Sequence, residues 1–291
     1  MKSAFVSIIG RPSVGKSTLL NTLCGYKVSI VSSIPQTTRN RIRGIVTQKR
    51  GQLVFIDTPG FHTSEKRLNL HLKDLVISGL DEVDLVLYLL DASRKPREEE
   101  KLLLEIVKAN REKTVAAVNK IDIAADGRFE AREFLESVLD DTRIFEISAT
   151  EGTGIPALTD ALFNLAPEGE LMYPEQMYTD QNPEFRAAEI IREKAIIRMR
   201  EEVPHAIFAS IEDMEVSEDG AKLWIRASLN VERESQKGIV VGKGGTMIRQ
   251  IRMAAQKELT EIFPYAVNLD LRVKVVSDWR KRERLLRKLI Y

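Results

Sequence analysis

Thiol and imidazole chemistry are nearly absent from this chain. Cys24 is the one cysteine in 291 residues, so no disulfide can close within it. The three histidines, His62, His71 and His205, are scattered and offer no metal-ligating constellation. No apolar run approaches the roughly 20 residues that a membrane-spanning helix needs. The start, Met1-Lys2-Ser3-Ala4-Phe5, runs straight into a strand pattern without a signal-peptide h-region and cleavage site. These absences exclude a disulfide scaffold, a His/Cys metal centre and a spanning helix, and the expected setting is the reducing cytosol. Cys24 then reads as a small packing residue on the first helix.

What is present suits a globular protein of two ordinary domains, with 43% apolar and 30% charged residues. The net charge of +1 hides a split. Residues 1–184 carry 23 basic against 27 acidic side chains, and residues 185–291 carry 21 against 16. The excess positive charge of the second part is clustered rather than spread.

Gly10-Arg11-Pro12-Ser13-Val14-Gly15-Lys16-Ser17 fits G-x-x-x-x-G-K-[ST], the loop that cradles phosphates. Before it, Ala4–Ile9 reads as a short, β-branched, buried parallel strand, and from Thr18 the pattern reads as a helix. Glycines let backbone N–H groups turn inward, and the helix N-terminus adds positive dipole. Lys16 would meet the β- and γ-phosphates, and the Ser17 hydroxyl would ligate Mg²⁺. Further on, a strand ends in Asp57-Thr58-Pro59-Gly60. Asp57 is placed to hold the Mg²⁺ shell through water, and the Gly60 N–H to sense a γ-phosphate. A later strand, Thr114–Val118, runs into Asn119-Lys120-Ile121-Asp122. A carboxylate at 122 can accept from the N1–H and 2-amino group of guanine, two donors that adenine lacks. Asn119 can tie this segment to the phosphate loop, and the Lys120 stem can lie along the base. Ser148-Ala149-Thr150, after another strand, stands where N–H groups could meet the guanine O6. Strands alternating with helices predict a mostly parallel sheet covered on both faces, with the ligand at the carboxyl ends of its strands.

The alternation stops near Ala166. Residues 167–184, with Pro167, Pro174 and Pro183, read as a linker. Phe185 to about Val203 is predicted as an amphipathic helix, followed by strands at 207–211 and 222–231, a helix from Thr246 to about Phe263, and a strand from Val267 to Val276. Gly242-Lys243-Gly244-Gly245 fits G-x-x-G, by which KH domains clamp a nucleic-acid backbone. Around it Lys237, Lys243, Arg249, Arg252 and Lys257 occur without one acidic residue. The plainer alternative is a glycine turn beside a solvated basic helix. The run Arg280–Lys288 is an extension of that surface or simply a solvated helix, and it permits weak attachment to anionic lipid.

The whole set, in this order, resembles the Era family of bacterial GTPases. The likeness rests on Gly10–Ser17, Gln36-Thr37-Thr38-Arg39, Asp57–Gly60, Asn119–Asp122, Ser148–Thr150, Gly242–Gly245 and the closing stretch Val273–Arg280. It implies an α/β fold: a Ras-like P-loop NTPase domain over 1–166, a linker over 167–184, and a smaller α+β type II KH domain over 185–291. It implies GTP and GDP with Mg²⁺ held by Ser17, Thr38 and Asp57, a switch at Gln36, Thr37, Thr38, Arg39 and Asn40, and slow hydrolysis helped by Lys16, Thr38 and Gly60. The implied partner is 16S ribosomal RNA near its 3′ end, gripped by Lys237, Gly242, Lys243, Gly244, Gly245, Arg249 and Arg252 of a monomer that assists 30S subunit maturation. Through the basic run Arg280–Lys288, a peripheral contact with the cytoplasmic face of the inner membrane is a further expectation.

Ras-like enzymes place a water-orienting Gln directly after D-x-x-G, whereas this chain has Phe61, which has no hydrogen-bonding group. Slow intrinsic turnover is expected. Two other readings remain: an RNA-binding assembly module with nucleotide as a structural ligand, and a P-loop ATPase or kinase, which Asn119–Asp122 opposes.

Overall fold

The computed structural model describes residues 1–32, 42–57, 80, 82–124, 126–283 and 285–286. The sequence-predicted residues Gln36, Thr37, Thr38, Arg39, Asn40, Thr58, Pro59, Gly60 and Phe61 lie outside the described set. The chain divides into two compact units, one built mainly of residues up to Asp180 and one beginning mainly at Gln181.

In the first unit the strands are Lys2–Ile9 (β1), Ile42–Gln48 (β2), Gly51–Asp57 (β3), Leu85–Asp91 (β4), Thr114–Asn119 (β5) and Ile144–Ile147 (β6). They form one sheet in the order β2-β3-β1-β4-β5-β6, and only the β2–β3 pair is antiparallel. All seven residues of β4 are buried, as a central parallel strand covered on two faces requires. Val86, Tyr88 and Leu90 turn to one face. There they meet Leu103 and Val107 of Glu98–Ala109 (α2) and Ala131 and Leu135 of Gly127–Glu136 (α3). Lys16–Cys24 (α1) lies against β2 and β3, and Ile155–Leu165 (α4) against β1, β5 and β6. Each fully buried leucine here contributes about 1.5–3 kcal/mol. The Ras-like α/β architecture expected from the sequence is the one found. Helix α3 was not expected: five of its ten residues are charged, and it buries only Ala131 and Leu135. Cys24 is half-buried on α1, and burial pushes its thiol up to about 12, which makes it inert packing. Among the described residues no helix is long and apolar enough to cross a membrane.

The stretch read as a linker, 167–184, needs correction at both ends. Pro167 O and Gly169 N bond to Ser3 N and Met1 O, and Tyr178 O accepts from Ile45 N on the outer edge of β2. The fully buried Gln52 holds it most firmly: its Oε1 accepts from Met172 N and Tyr173 N, while its Nε2 donates to Tyr173 O. Tyr26 stacks on Tyr178, with ring centroids 4.4 Å apart. Residues 167–180 are therefore laid along the first unit. Helix α5, Pro183–Ile196, begins two residues before Phe185 because Asn182 accepts from Phe185 N and Pro183 occupies the first turn.

The second unit continues with Val203–Ala206 (α6), Phe208–Val216 (β7), Lys222–Val231 (β8), Glu234–Val241 (α7), Thr246–Ile262 (α8) and Ala266–Val275 (β9). Strand β8 pairs antiparallel with β7 and parallel with β9. Helix α5 stops at Ile196, short of the expected Val203. Glu201 takes a left-handed conformation, φ 57°, and Met199 stays buried from a turn rather than from a helix. Ile191 and Ala195 of α5, Leu223, Ile225 and Ala227 of β8, Ile251 and Ala255 of α8 and Leu269 of β9 share the core. The closing segment is anchored by Trp279, whose Nε1 donates to Ala206 O at 2.8 Å and whose ring meets Phe208 edge-on.

Candidate nucleotide and nucleic-acid sites

The carboxyl ends of β1, β3, β5 and β6 bring most of the sequence-predicted residues to one edge of the sheet. The loop Gly10–Gly15 leaves β1 and enters α1 at Lys16. Gly15 has φ 102°, and a Cβ there would stand 2.4 Å from Asn119 Nδ2, so only glycine fits. Lys16 is buried, and its Nζ donates to Gly10 O and Arg11 O, both at 2.9 Å. Desolvation lowers its ammonium to about 8, against an upward pull from Asp57. A phosphate arriving beside Lys16 would raise that value again, so binding at high pH must take up a proton. The affinity for GDP is expected to hold between pH 6 and 7 and to fall above pH 8, at most about tenfold per pH unit, in a fluorescent-GDP titration.

Asp57, at the end of β3, is fully buried. Its Oδ2 accepts from Ser17 Oγ at 2.7 Å and from Ser29 Oγ at 2.9 Å. Hydroxyl and carboxylate oxygens are the hard donors that suit Mg²⁺, which takes one or two protein ligands and completes its shell with water and substrate phosphate. The residues present fit that ion.

Asn119 is the hinge pin of the site. Its Nδ2 donates to Val14 O at 2.8 Å and its Oδ1 accepts from Ala149 N at 2.9 Å, so one amide joins the phosphate loop to the Ser148–Thr150 turn. Ala149 is held from its other side as well, since Thr22 Oγ1 on α1 donates to Ala149 O at 2.6 Å. Lys120 has φ 69°, and its Nζ donates to Ser13 O at 2.8 Å and to Asp91 Oδ2 at 2.6 Å. Sequence reading missed Asp91 and Thr22. The former had a visible signal, a carboxylate closing a wholly apolar strand, and the latter had none. Ile121 follows in the turn, Asp122 is exposed there, Ser148 is buried and Thr150 is exposed. Arg11 turns to the first turn of α2, where Nε meets Glu99 at 2.7 Å and a terminal nitrogen meets Glu100 at 2.6 Å. Burial opposes the charge on Arg11, but Glu100 and Glu99 together hold its guanidinium above the ordinary value.

In the second unit Gly242, Lys243, Gly244 and Gly245 link α7 to α8. Gly242, Gly244 and Gly245 all have positive φ, and Lys243, Gly244 and Arg249 are exposed. Lys237 and Arg252 are half-buried, with Arg252 donating to Gln256 Oε1 at 3.3 Å. Two exposed apolar side chains on the same helices, Ile239 of α7 and Met253 of α8, escaped sequence reading. Of the basic C-terminal run, Arg280 is engaged with Glu232, and Lys281 with Asp278 at 2.8 Å.

Residues 5–120 match the family described as 50S ribosome-binding GTPase, and residues 202–280 match the KH domain family. GTPase Era of Treponema denticola is 51% identical, with all of both chains covered, and that of Borreliella burgdorferi is 46% identical on the same terms. The chain belongs to the Era family of GTPases. It is a hydrolase of GTP with a C-terminal KH domain. Era in complex with MgGDPNP and nucleotides 1506–1542 of 16S ribosomal RNA superposes with a TM-score of 0.92 at 36% identity, covering 99% of this chain and 98% of that one. A point variant of Aquifex aeolicus Era bound to GDP·AlF4⁻ gives 0.93 at the same identity and coverage. Because the chain is a GTPase, the ATPase or kinase alternative falls.

Proposed function

We propose that this Era GTPase acts as a slow nucleotide switch on 16S ribosomal RNA, gripping a single strand near the 3′ end of that RNA and assisting maturation of the 30S subunit. The observation that carries the RNA part is the α7–α8 loop. Three positive-φ glycines leave its backbone open to close approach, with exposed Lys243 and Arg249 beside it. The related Era chain solved with 16S RNA supports the choice of RNA.

GTP is the substrate of the first unit. Lys16 exchanges the carbonyls of Gly10 and Arg11 for phosphate oxygens and neutralises charge that grows on the γ-phosphoryl group. Mg²⁺, when bound, would supply positive charge that offsets the negative charge of the phosphates. Ser17 and, through water, Asp57 hold it, with Thr38 expected to complete the protein's share. Asp122 reads the guanine edge while Asn119 keeps its turn against the phosphate loop. Water attacks the γ-phosphorus, the bond to the bridging oxygen breaks, and GDP and phosphate leave. Phe61 cannot orient that water, so its positioning falls to the backbone, to a switch residue or to a rearrangement brought by RNA, and turnover is slow.

Switching requires that RNA bind one nucleotide state better than the other. A single-stranded 16S 3′-end fragment is expected to bind at least fivefold tighter with a non-hydrolysable GTP analogue than with GDP, measured by fluorescence anisotropy. Equal affinities would reduce the chain to an RNA-binding module with a structural nucleotide.

A further inference from the structure

We infer that Ser29 is a positioning residue for the magnesium-holding carboxylate, and that Asn21 sets it in place. The inference rests on the magnesium reading above and concerns two residues outside every motif of the family pattern.

Three facts converge. Ser29 is buried and its Oγ donates to Asp57 Oδ2 at 2.9 Å. Asn21, one turn beyond Ser17 on α1, grips the backbone that carries it: Oδ1 accepts from Val28 N and Ser29 N, both at 2.8 Å, and Nδ2 donates to Ser29 O at 2.8 Å. The third is that Ser17 Oγ shares the same oxygen of Asp57 at 2.7 Å.

The geometry has a chemical meaning. A buried carboxylate can rotate about its Cβ–Cγ bond unless hydrogen bonds stop it, and a water-mediated metal contact tolerates little rotation. Ser17 serves the metal with its own oxygen, so its hold on Asp57 is shared with that duty. Ser29 has no such second duty. Its hydroxyl can fix Asp57 Oδ2 whether or not the ion is bound, and three hydrogen bonds from Asn21 keep Ser29 from drifting.

The test is the free Mg²⁺ needed to retain fluorescent GDP, measured as dissociation rate across a magnesium-buffer series and again in chelator. In Ser29→Ala and in Ser29→Cys, which lacks a strong donor but keeps the volume, the midpoint should move up about tenfold, as expected for one hydrogen bond to a charged group. The dissociation rate in chelator should stay within twofold of wild type, and Ser29→Thr should restore most of the shift. Asn21→Ala should move the midpoint in the same direction by less. An unchanged midpoint in both Ser29→Ala and Ser29→Cys overturns the inference, and so does an equal loss of GDP with and without magnesium, which would make Ser29 mere packing. If the wild-type rate itself ignores magnesium, the magnesium reading falls first, and that result is seen in the parent protein before any variant is made.

Discussion

Asn119→Ala is expected to weaken GDP binding by several hundredfold while leaving the fold in place. The substitution removes one amide and strands two buried partners, Val14 O and Ala149 N. Leaving a buried donor or acceptor unpaired costs about 1–3 kcal/mol each, so the pair comes to about 3–4 kcal/mol. Every 1.4 kcal/mol is about tenfold in affinity. The loss falls on the nucleotide because the orphaned groups belong to the two turns that must face it, and not to the core under the sheet. Calorimetric titration with GDP measures it, and circular dichroism of the nucleotide-free variant checks the fold. An affinity within threefold of wild type would show that the phosphate loop and the Ser148–Thr150 turn hold their relative positions without Asn119.

The second large effect belongs to RNA. Gly244→Asp should lower affinity for single-stranded 16S RNA about a hundredfold and leave GDP affinity within twofold. Gly244 sits at φ 61°, ψ 23°, a left-handed conformation that aspartate adopts more readily than most residues. A Cβ added there meets nothing within 4 Å. The variant therefore folds and presents a carboxylate where the proposed grip needs the approach of a phosphate backbone. Repulsion and the lost close approach act together, and the deficit should shrink as salt rises. Filter binding at two salt concentrations reads both parts. Undiminished RNA binding would move the grip elsewhere on the second unit.

How far the sequence reveals this molecule depends on the range of the interaction that decides each feature. Gly10–Ser17 was legible because its chemistry is written in eight consecutive residues, and β1 because the short β-branched run Ala4–Ile9 has one sensible home in a parallel sheet. The start of α5 was legible in principle from Asn182-Pro183 and was missed by attending to periodicity instead of the cap. Its end was not legible, because Met199 keeps the inward position of a helix while the backbone has already turned. Prolines at 167, 174 and 183 looked like a tether, since nothing local reveals that Gln52, over a hundred residues earlier, receives the backbone of Met172 and Tyr173. The grip of Asn21 on Ser29 was hidden for a related reason. Asparagine on a helix and serine in a loop are both ordinary, and their meaning arises only when Asp57 closes over them.

The strap formed by residues 167–180 changes what counts as one folding unit. Strand β2 lies at the border of the sheet, where an open row of amides invites another chain to add itself. Tyr178 O covers Ile45 N, Thr179 Oγ1 donates to Arg43 O, and Asp180 pairs with Arg43 at 2.7 Å. A GTPase fragment ending at Ala166 would uncover that border and strip Gln52 Oε1 of its two backbone donors, so it would be prone to self-association. A fragment ending after Asp180 would keep both closed. The first unit thus extends past its last motif, and the chain that leads toward the RNA-binding unit is also the guard rail of the sheet.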